Sequence, residues 1–261
     1  MLLLKDKINA FSKEETTVQL DRIIAVRNSK TVFCDEGRCV KVFTSAYSKT
    51  DILREALNQS CAEEAGLSVP KFLEVTKIDG RWALISEYIE GESLLRMGKE
   101  EPEKKSGYLN LFADLQLEIQ KKCCPLPCSL KNIFKIRIGS AMISEVVKEK
   151  TLLQLETLPE GNSLCHGDFY PSNVILREDK TPFVIDWSHA ASGSPAADAA
   201  QSYLLFFLRD GKDTAEEYLG LYCKKSGAPE REIRAWLPVA AAAQCAKSNE
   251  GERAVLRSFI K

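Results

Sequence analysis

No apolar run in this sequence approaches the roughly 20 residues that cross a bilayer, so a membrane-spanning role is not expected. The start, MLLLKDK, is too short for a signal-peptide core and runs at once into charges of both signs. An excess of one charge is also missing. Lys and Arg number 36 against 37 Asp and Glu, and the net charge of −1 offers no field for a nucleic-acid backbone. The patterns G-x-x-x-x-G-K-[ST], G-x-S-x-G and H-E-x-x-H do not occur, which removes a P-loop, an esterase-type nucleophile and a zincin. Histidine is scarce, at two residues. Both, His166 and His189, fall at the ends of one stretch, LCHGDFYPSNVILREDKTPFVIDWSHA.

What is present describes an ordinary globular protein. Hydrophobic residues make up 44% and charged residues 28% of 261, enough for one large domain or two packed lobes. Nine cysteines, an odd count behind no leader, imply reduced thiols and a cytoplasmic location. Their one cluster, CCPLPC, has no second pair or histidine nearby, so it reads as small buried apolar side chains rather than a zinc site.

The first 90 or so residues read as strands with one helix. VQLDRIIAV and TVFC flank the turn RNSK, CDEGRC turns tightly at Gly37, and CVKVF follows. A helix is expected from about Asp51 to Ala65, capped by Ser48 or Thr50 and ended by Gly66. Two further strands meet at Asp79-Gly80. Beyond Gly91 the apolar spacing becomes helical, at about Pro102 to Lys121, Lys131 to Leu158, Ala196 to Leu208, Thr214 to Lys225 and Glu230 to Ala246. The fold class expected is α+β, with a small antiparallel sheet carrying one main helix and a larger helical part. The boundary is set at 1–87 and 88–261.

Within the histidine-flanked stretch, Val174 to Leu176 and Phe183 to Ile185 read as a hairpin, which returns the chain and sets Asn173 beside Asp186. An amide oxygen next to a carboxylate is a hard-donor pair suited to Mg²⁺. Asp168, in the loop just upstream, is placed to accept a proton from a hydroxyl that attacks phosphorus. The spacing His166, Asp168, Asn173 resembles the kinase catalytic loop, and IDW stands where D-F-G would. The nucleotide half is also legible. CVKVF supplies Lys41 on a third strand, Glu55 follows in the next helix as its partner, and backbone at Ser86, Glu87 and Tyr88 faces an adenine edge. Glu63 and Glu64 compete with Glu55 but lie near the helix end, where they read as solvated.

HGDFYPSN…VIDW, with REALNQ…LSVPKFLEV and SEYIEGESL, resembles the aminoglycoside phosphotransferase and choline kinase-like family of small-molecule kinases, from about Leu20 to the end. The resemblance implies a two-lobed protein-kinase-like fold and transfer of a phosphoryl group from ATP or GTP, with Mg²⁺, to a hydroxyl of a small acceptor. It implies Asp168 as base, Asn173 and Asp186 as metal ligands, and Lys41 on the phosphates with Glu55 orienting it. His166 becomes a scaffold residue, Asp198 a holder of loop NH groups, and His189 is left with a surface or turn role.

The chain departs from the pattern where VRNSKT replaces a glycine-rich turn; there backbone NH groups and the Ser29 hydroxyl would cover phosphates. Tyr170 stands where many relatives carry a second histidine. The acceptor stays open among antibiotic, amino alcohol and sugar-like alcohols. Mixed charges such as Glu216, Lys224, Glu230 and Arg234 read as a solvated face. The aromatics Trp187, Tyr203, Phe206, Phe207, Tyr218, Tyr222 and Trp236 read as core rather than a cage for choline. A catalytically inactive nucleotide-binding module of the same fold is the alternative function.

Overall fold

The computed structural model describes residues 22–27 and 29–260. Strand expectations for Val18 to Asp21 and for Asn28 in the first turn lie outside them. The N-terminal sheet is antiparallel throughout, with β1 (Arg22–Val26), β2 (Lys30–Asp35), β3 (Arg38–Phe43), β4 (Phe72–Ile78) and β5 (Arg81–Glu87) in the order β1-β2-β3-β5-β4. Two-residue turns close two of its hairpins. Glu36 and Gly37 have φ of 44° and 77°, and Asp79 and Gly80 have 48° and 76°. Positive φ at both positions matches the twist of the flanking strands, which is why D-E-G and D-G stand there.

Helix α1 (Lys49–Glu64) starts in a full capping box: the Ser48 hydroxyl accepts the Asp51 amide, and the Asp51 carboxylate accepts the Ser48 amide. Ile52 and Ala56 pack against Phe43 and Leu84 of the sheet. Gly66 follows the helix end at φ 77°. A short strand β6 (Glu92–Ser93) and an unforeseen helix α2 (Leu94–Glu100) then carry the chain into the helical part.

There α3 (Lys105–Gln120) follows a short 3₁₀ turn from Pro102. The expected helix from Lys131 to Leu158 is two, α4 (Leu130–Ser140) and α5 (Glu145–Thr157). The break follows from Gly139 and Ser140, poor helix formers, and from Ala141, whose extended ψ of 145° ends α4 while its side chain is buried. Short strands β7 (Ser163–Cys165), β8 (Val174–Leu176), β9 (Pro182–Val184) and β10 (Ala191–Gly193) frame the histidine-flanked stretch, with β8 and β9 antiparallel as expected. Helices α6 (Pro195–Arg209), α7 (Lys212–Ser226), α8 (Glu230–Cys245) and α9 (Glu250–Leu256) complete the chain, the last unforeseen.

The aromatics read as core are core. Phe112 stacks on Phe169 at 4.3 Å and meets Phe206 and Tyr218 edge-on, and Trp187, Tyr203, Tyr222 and Trp236 are buried. Each such ring removes on the order of 150–250 Å² from water, so this cluster dominates the helical core. Among the described residues no helix is long and apolar enough to cross a membrane, and all nine cysteines are free.

Candidate active site

Three elements converge on one ion-paired cluster between the sheet and the helices. Strand alternation turns Lys41 inward from β3, and α1 offers Glu55 from its second turn. Lys41 Nζ stands 2.6 Å from Glu55 Oε1 and 3.7 Å from Asp186 Oδ1. Burial pulls the Lys41 ammonium down, but the two carboxylates outweigh it and hold its pKa above the usual value. Glu63 is not a free rival, because its carboxylate accepts the Phe72 amide at 3.2 Å.

A second lysine joins them. Lys30 Nζ lies 3.1 Å and 3.3 Å from the two oxygens of Asp186, and 3.6 Å from Glu55. Sequence reasoning assigned the first turn's contribution to Ser29. The Ser29 carbonyl accepts the Thr44 amide at 2.9 Å, and the next residue, Lys30, adds its ammonium to the cluster. The signal was available: in the β2–β3 register Lys30 opposes Phe43 and Val32 opposes Lys41. With a period of two, Lys30 and Lys41 share a face.

Asp186 follows β9 with φ 63° and ψ 64°, a left-handed conformation uncommon for a non-glycine residue. The hairpin returns the chain as expected, and the Ile185 amide donates to the Asn173 carbonyl at 2.9 Å. Burial pushes the Asp186 carboxyl up, yet Lys41 and Lys30 together bring it well below the usual carboxylate range. The Asn173 amide nitrogen donates to the Asp168 carbonyl at 2.9 Å, which orients its oxygen outward, and among the described residues nothing donates to that oxygen. One carboxylate plus one amide oxygen fits Mg²⁺ that completes its shell with phosphate oxygens and water.

The loop bearing Asp168 is held from behind. Asp198 Oδ1 accepts the Gly167 amide at 2.9 Å, while Oδ2 accepts from Gln116 and Gln120, each at 3.1 Å. His166 is fully buried, and its Nε2 meets the Ile185 carbonyl at 3.0 Å between the rings of Phe169 and Trp187. Both residues are scaffold in this geometry. Gly167 has φ 74°, and a Cβ there would collide with the His189 carbonyl.

The unforeseen neighbours of Asp168 are cations. Lys247, just past α8, places Nζ 2.8 Å from Asp168 Oδ1. Burial raises the Asp168 carboxyl, but Lys247 and His189 overcome it and the net shift is downward. His189 lies in the short 3₁₀ turn Trp187–His189, in line with the turn role expected for it. It is half-buried beside Arg137, whose guanidinium lies 3.1 Å from its Nδ1. Burial, with Lys247 and Arg137 close by, pushes its pKa down to about 3 against the pull of Asp168 and Asp186. No local sequence signal tied Lys247 or Arg137 to this loop, since neither lies near it in the chain.

The hinge expectation is refined. The Glu87 amide donates to the Lys71 carbonyl and the Tyr88 amide to the Gly37 carbonyl, each at 2.9 Å. Ser86 is buried in the β3–β5 ladder opposite Cys39. The Ile89 amide that follows has no protein acceptor among the described residues. Tyr170 is buried and donates to Asp210 at 2.6 Å, with the Arg209 guanidinium 4.4 Å above its ring.

Comparison with known proteins agrees with this geometry. Residues 145–237 match the model of the phosphotransferase enzyme family. A thermostable mutant of the aminoglycoside phosphotransferase APH(4)-Ia, solved as a ternary complex with ADP and hygromycin B, superposes with a TM-score of 0.68 at 16% identity, covering 91% of this chain and 90% of that one. A choline/ethanolamine kinase family protein from Mesorhizobium loti gives 0.61 at 14% identity, covering 100% and 95%. Acyl-CoA dehydrogenase family member 10 of Mus musculus is 35% identical over 85 residues, which are 26% of this chain and 8% of that protein. The match thus spans less than a tenth of that curated relative's length. Residues 145–237 thus resemble the phosphotransferase enzyme family, and the chain shares the fold of the aminoglycoside phosphotransferase and the choline/ethanolamine kinase family protein.

Proposed function

We propose that this protein is a small-molecule kinase of the cytoplasm, moving the γ-phosphoryl group of ATP or GTP onto a hydroxyl of a small acceptor. Residues 1–87 form its nucleotide lobe and 88–261 the lobe with the catalytic loop and acceptor site. The observation that carries this reading is the Lys41–Glu55 pair at 2.6 Å facing Asp186 at 3.7 Å, drawn from three separate elements. The ADP in the aminoglycoside phosphotransferase complex supports a nucleotide in the same fold.

In this reading Lys41 and Lys30 meet the phosphates, and Glu55 fixes the Lys41 ammonium. Ser86, Glu87 and Tyr88 line the hinge, with Ile89 supplying its free amide. Asn173 and Asp186 would hold Mg²⁺, which when bound offsets charge on the transferring group. Asp168 receives the acceptor hydroxyl in place of the Lys247 ammonium and takes its proton as the oxygen attacks. Its depressed pKa keeps it ionised, so its contribution is chiefly orientation of the nucleophile. Lys247, His189 and Arg137 line the acceptor side.

An ADP-release assay with Mg-ATP and Mg-GTP over a panel of alcohols tests the proposal, with Asp168→Asn alongside. Acceptor-dependent turnover that the variant lowers by about 10²–10⁴-fold is expected. Nucleotide binding that needs Mg²⁺ but brings no acceptor-dependent turnover would favour an inactive binding module instead.

A further inference from the structure

The two halves of the site differ in charge. On the nucleotide side Lys30 and Lys41 face Glu55 and Asp186, two cations against two carboxylates. On the acceptor side three cations arrive from three different places: Arg137 from α4, Arg209 from the end of α6 and Lys247 from beyond α8. Among the described residues neither Arg137 nor Arg209 forms a salt bridge. Arg137 faces the imidazole of His189, and Arg209 lies over the Tyr170 ring, whose hydroxyl already occupies Asp210. Among the described residues the single ionic partner of Lys247 is Asp168 at 2.8 Å. A hydroxyl that comes to Asp168 competes with Lys247 for this carboxylate, and an anion on the acceptor would give Lys247 a second partner.

Building on the kinase reading, we infer that the acceptor is an anionic alcohol, carrying a carboxylate or a phosphate group that Arg137 and Lys247 bind beside the reacting hydroxyl. A guanidinium fork matches either anion in a bidentate contact, and the ammonium adds a movable point charge. A polycation or a quaternary amine would instead meet like charge, with the Asp168 carboxylate as its chief attraction. Desolvation also lowers the pKa of both Arg137 and Lys247, as for cations held in a cleft short of anions. Nothing in the local sequence betrayed this, because the three residues are dispersed along the chain.

The test is ADP release with Mg-ATP by the full chain, using hydroxycarboxylates and glycerol phosphate in one arm. The matching neutral hydroxyamides form a second arm, and choline and aminoglycosides a third. Thermal shift with Mg-ADP reads binding of the same compounds without turnover. At least tenfold higher kcat/KM for an anionic acceptor than for its neutral match is expected, and the two anionic probes separate carboxylate from phosphate. Arg137→Met should remove about tenfold of that preference, through KM for the anionic acceptor. Lys247→Met should do the same, and Arg137→Met carries the test alone if that variant does not fold. Equal or better turnover of neutral or cationic acceptors overturns the inference and leaves the kinase reading standing. Anion binding without turnover of any alcohol supports the anion site and overturns the kinase reading. Absence of both anion binding and anion turnover overturns the inference.

Discussion

His189 shows how a single residue acquires meaning from its surroundings. Its imidazole is held neutral, with a pKa pushed down to about 3, by burial and by Lys247 and Arg137. In the unfolded chain the same group takes up a proton near 6.5. Between those values the unfolded state binds more protons, so stability falls as pH drops through that window. Asp168 and Asp186, whose carboxyls are also depressed, add to the loss only below the ordinary aspartate value near 3.8. For the metal-free protein, His189→Gln should therefore flatten the decline in melting temperature between about pH 6.5 and pH 4.5. A slope unchanged from the parent protein would mean that another group governs it.

At the scale of elements, the helix that carries Glu55 and the loop that carries Asp168 are stabilised by different means. Helix α1 depends on local chemistry, with its Ser48–Asp51 capping box starting the turns that present Glu55. Ser48→Ala should cost about 1 kcal/mol, a fall of about 2–4 °C in melting temperature, and spare most turnover. The catalytic loop depends on tertiary contact. Gly167 sits at φ 74° against the His189 carbonyl, and its amide is held by Asp198. Gly167→Ala should depress kcat far more than the Ser48 change at a temperature where both variants are folded. Equal kcat values for the two, read by thermal scan and single-temperature kinetics, would refute the distinction.

At the scale of the whole molecule, Asn58 is one of the side chains that join the sheet-bearing part to the helical part. Asn58 on α1 donates to the Trp187 carbonyl at 3.1 Å and the Ala190 carbonyl at 3.2 Å, just beyond Asp186. It therefore links the position of Glu55 to that of Asp186. Removing the donor leaves the Ala190 carbonyl without that partner, while the Trp187 carbonyl keeps the Ala190 amide at 3.1 Å; one unsatisfied buried group costs about 1–3 kcal/mol. Asn58→Leu should lower kcat/KM for nucleotide as well as melting temperature, because the Lys41–Glu55 pair loses its register with Asp186. A loss of melting temperature alone, with kinetics intact at low temperature, would make the tie merely structural.

Much of this was legible from local chemistry. Turns need positive φ, so D-E-G and D-G marked the hairpins, and strand alternation put Lys41 inward. The hairpin after Asn173 could only bring its end back to Asp186. Helix α2 escaped notice because it is short and joins the β6 strand directly, and the break before α5 because apolar spacing continued across it. What the amino-acid sequence determined by itself was the meeting of Lys41, Glu55 and Asp186 and the hairpin that returns to Asn173, since these residues sit at fixed offsets within hairpins, strands and one capped helix. Only the tertiary structure decided the acceptor half. Arg137 and Lys247 share no local period, and they come to Asp168 because α4 and α8 pack together in one core.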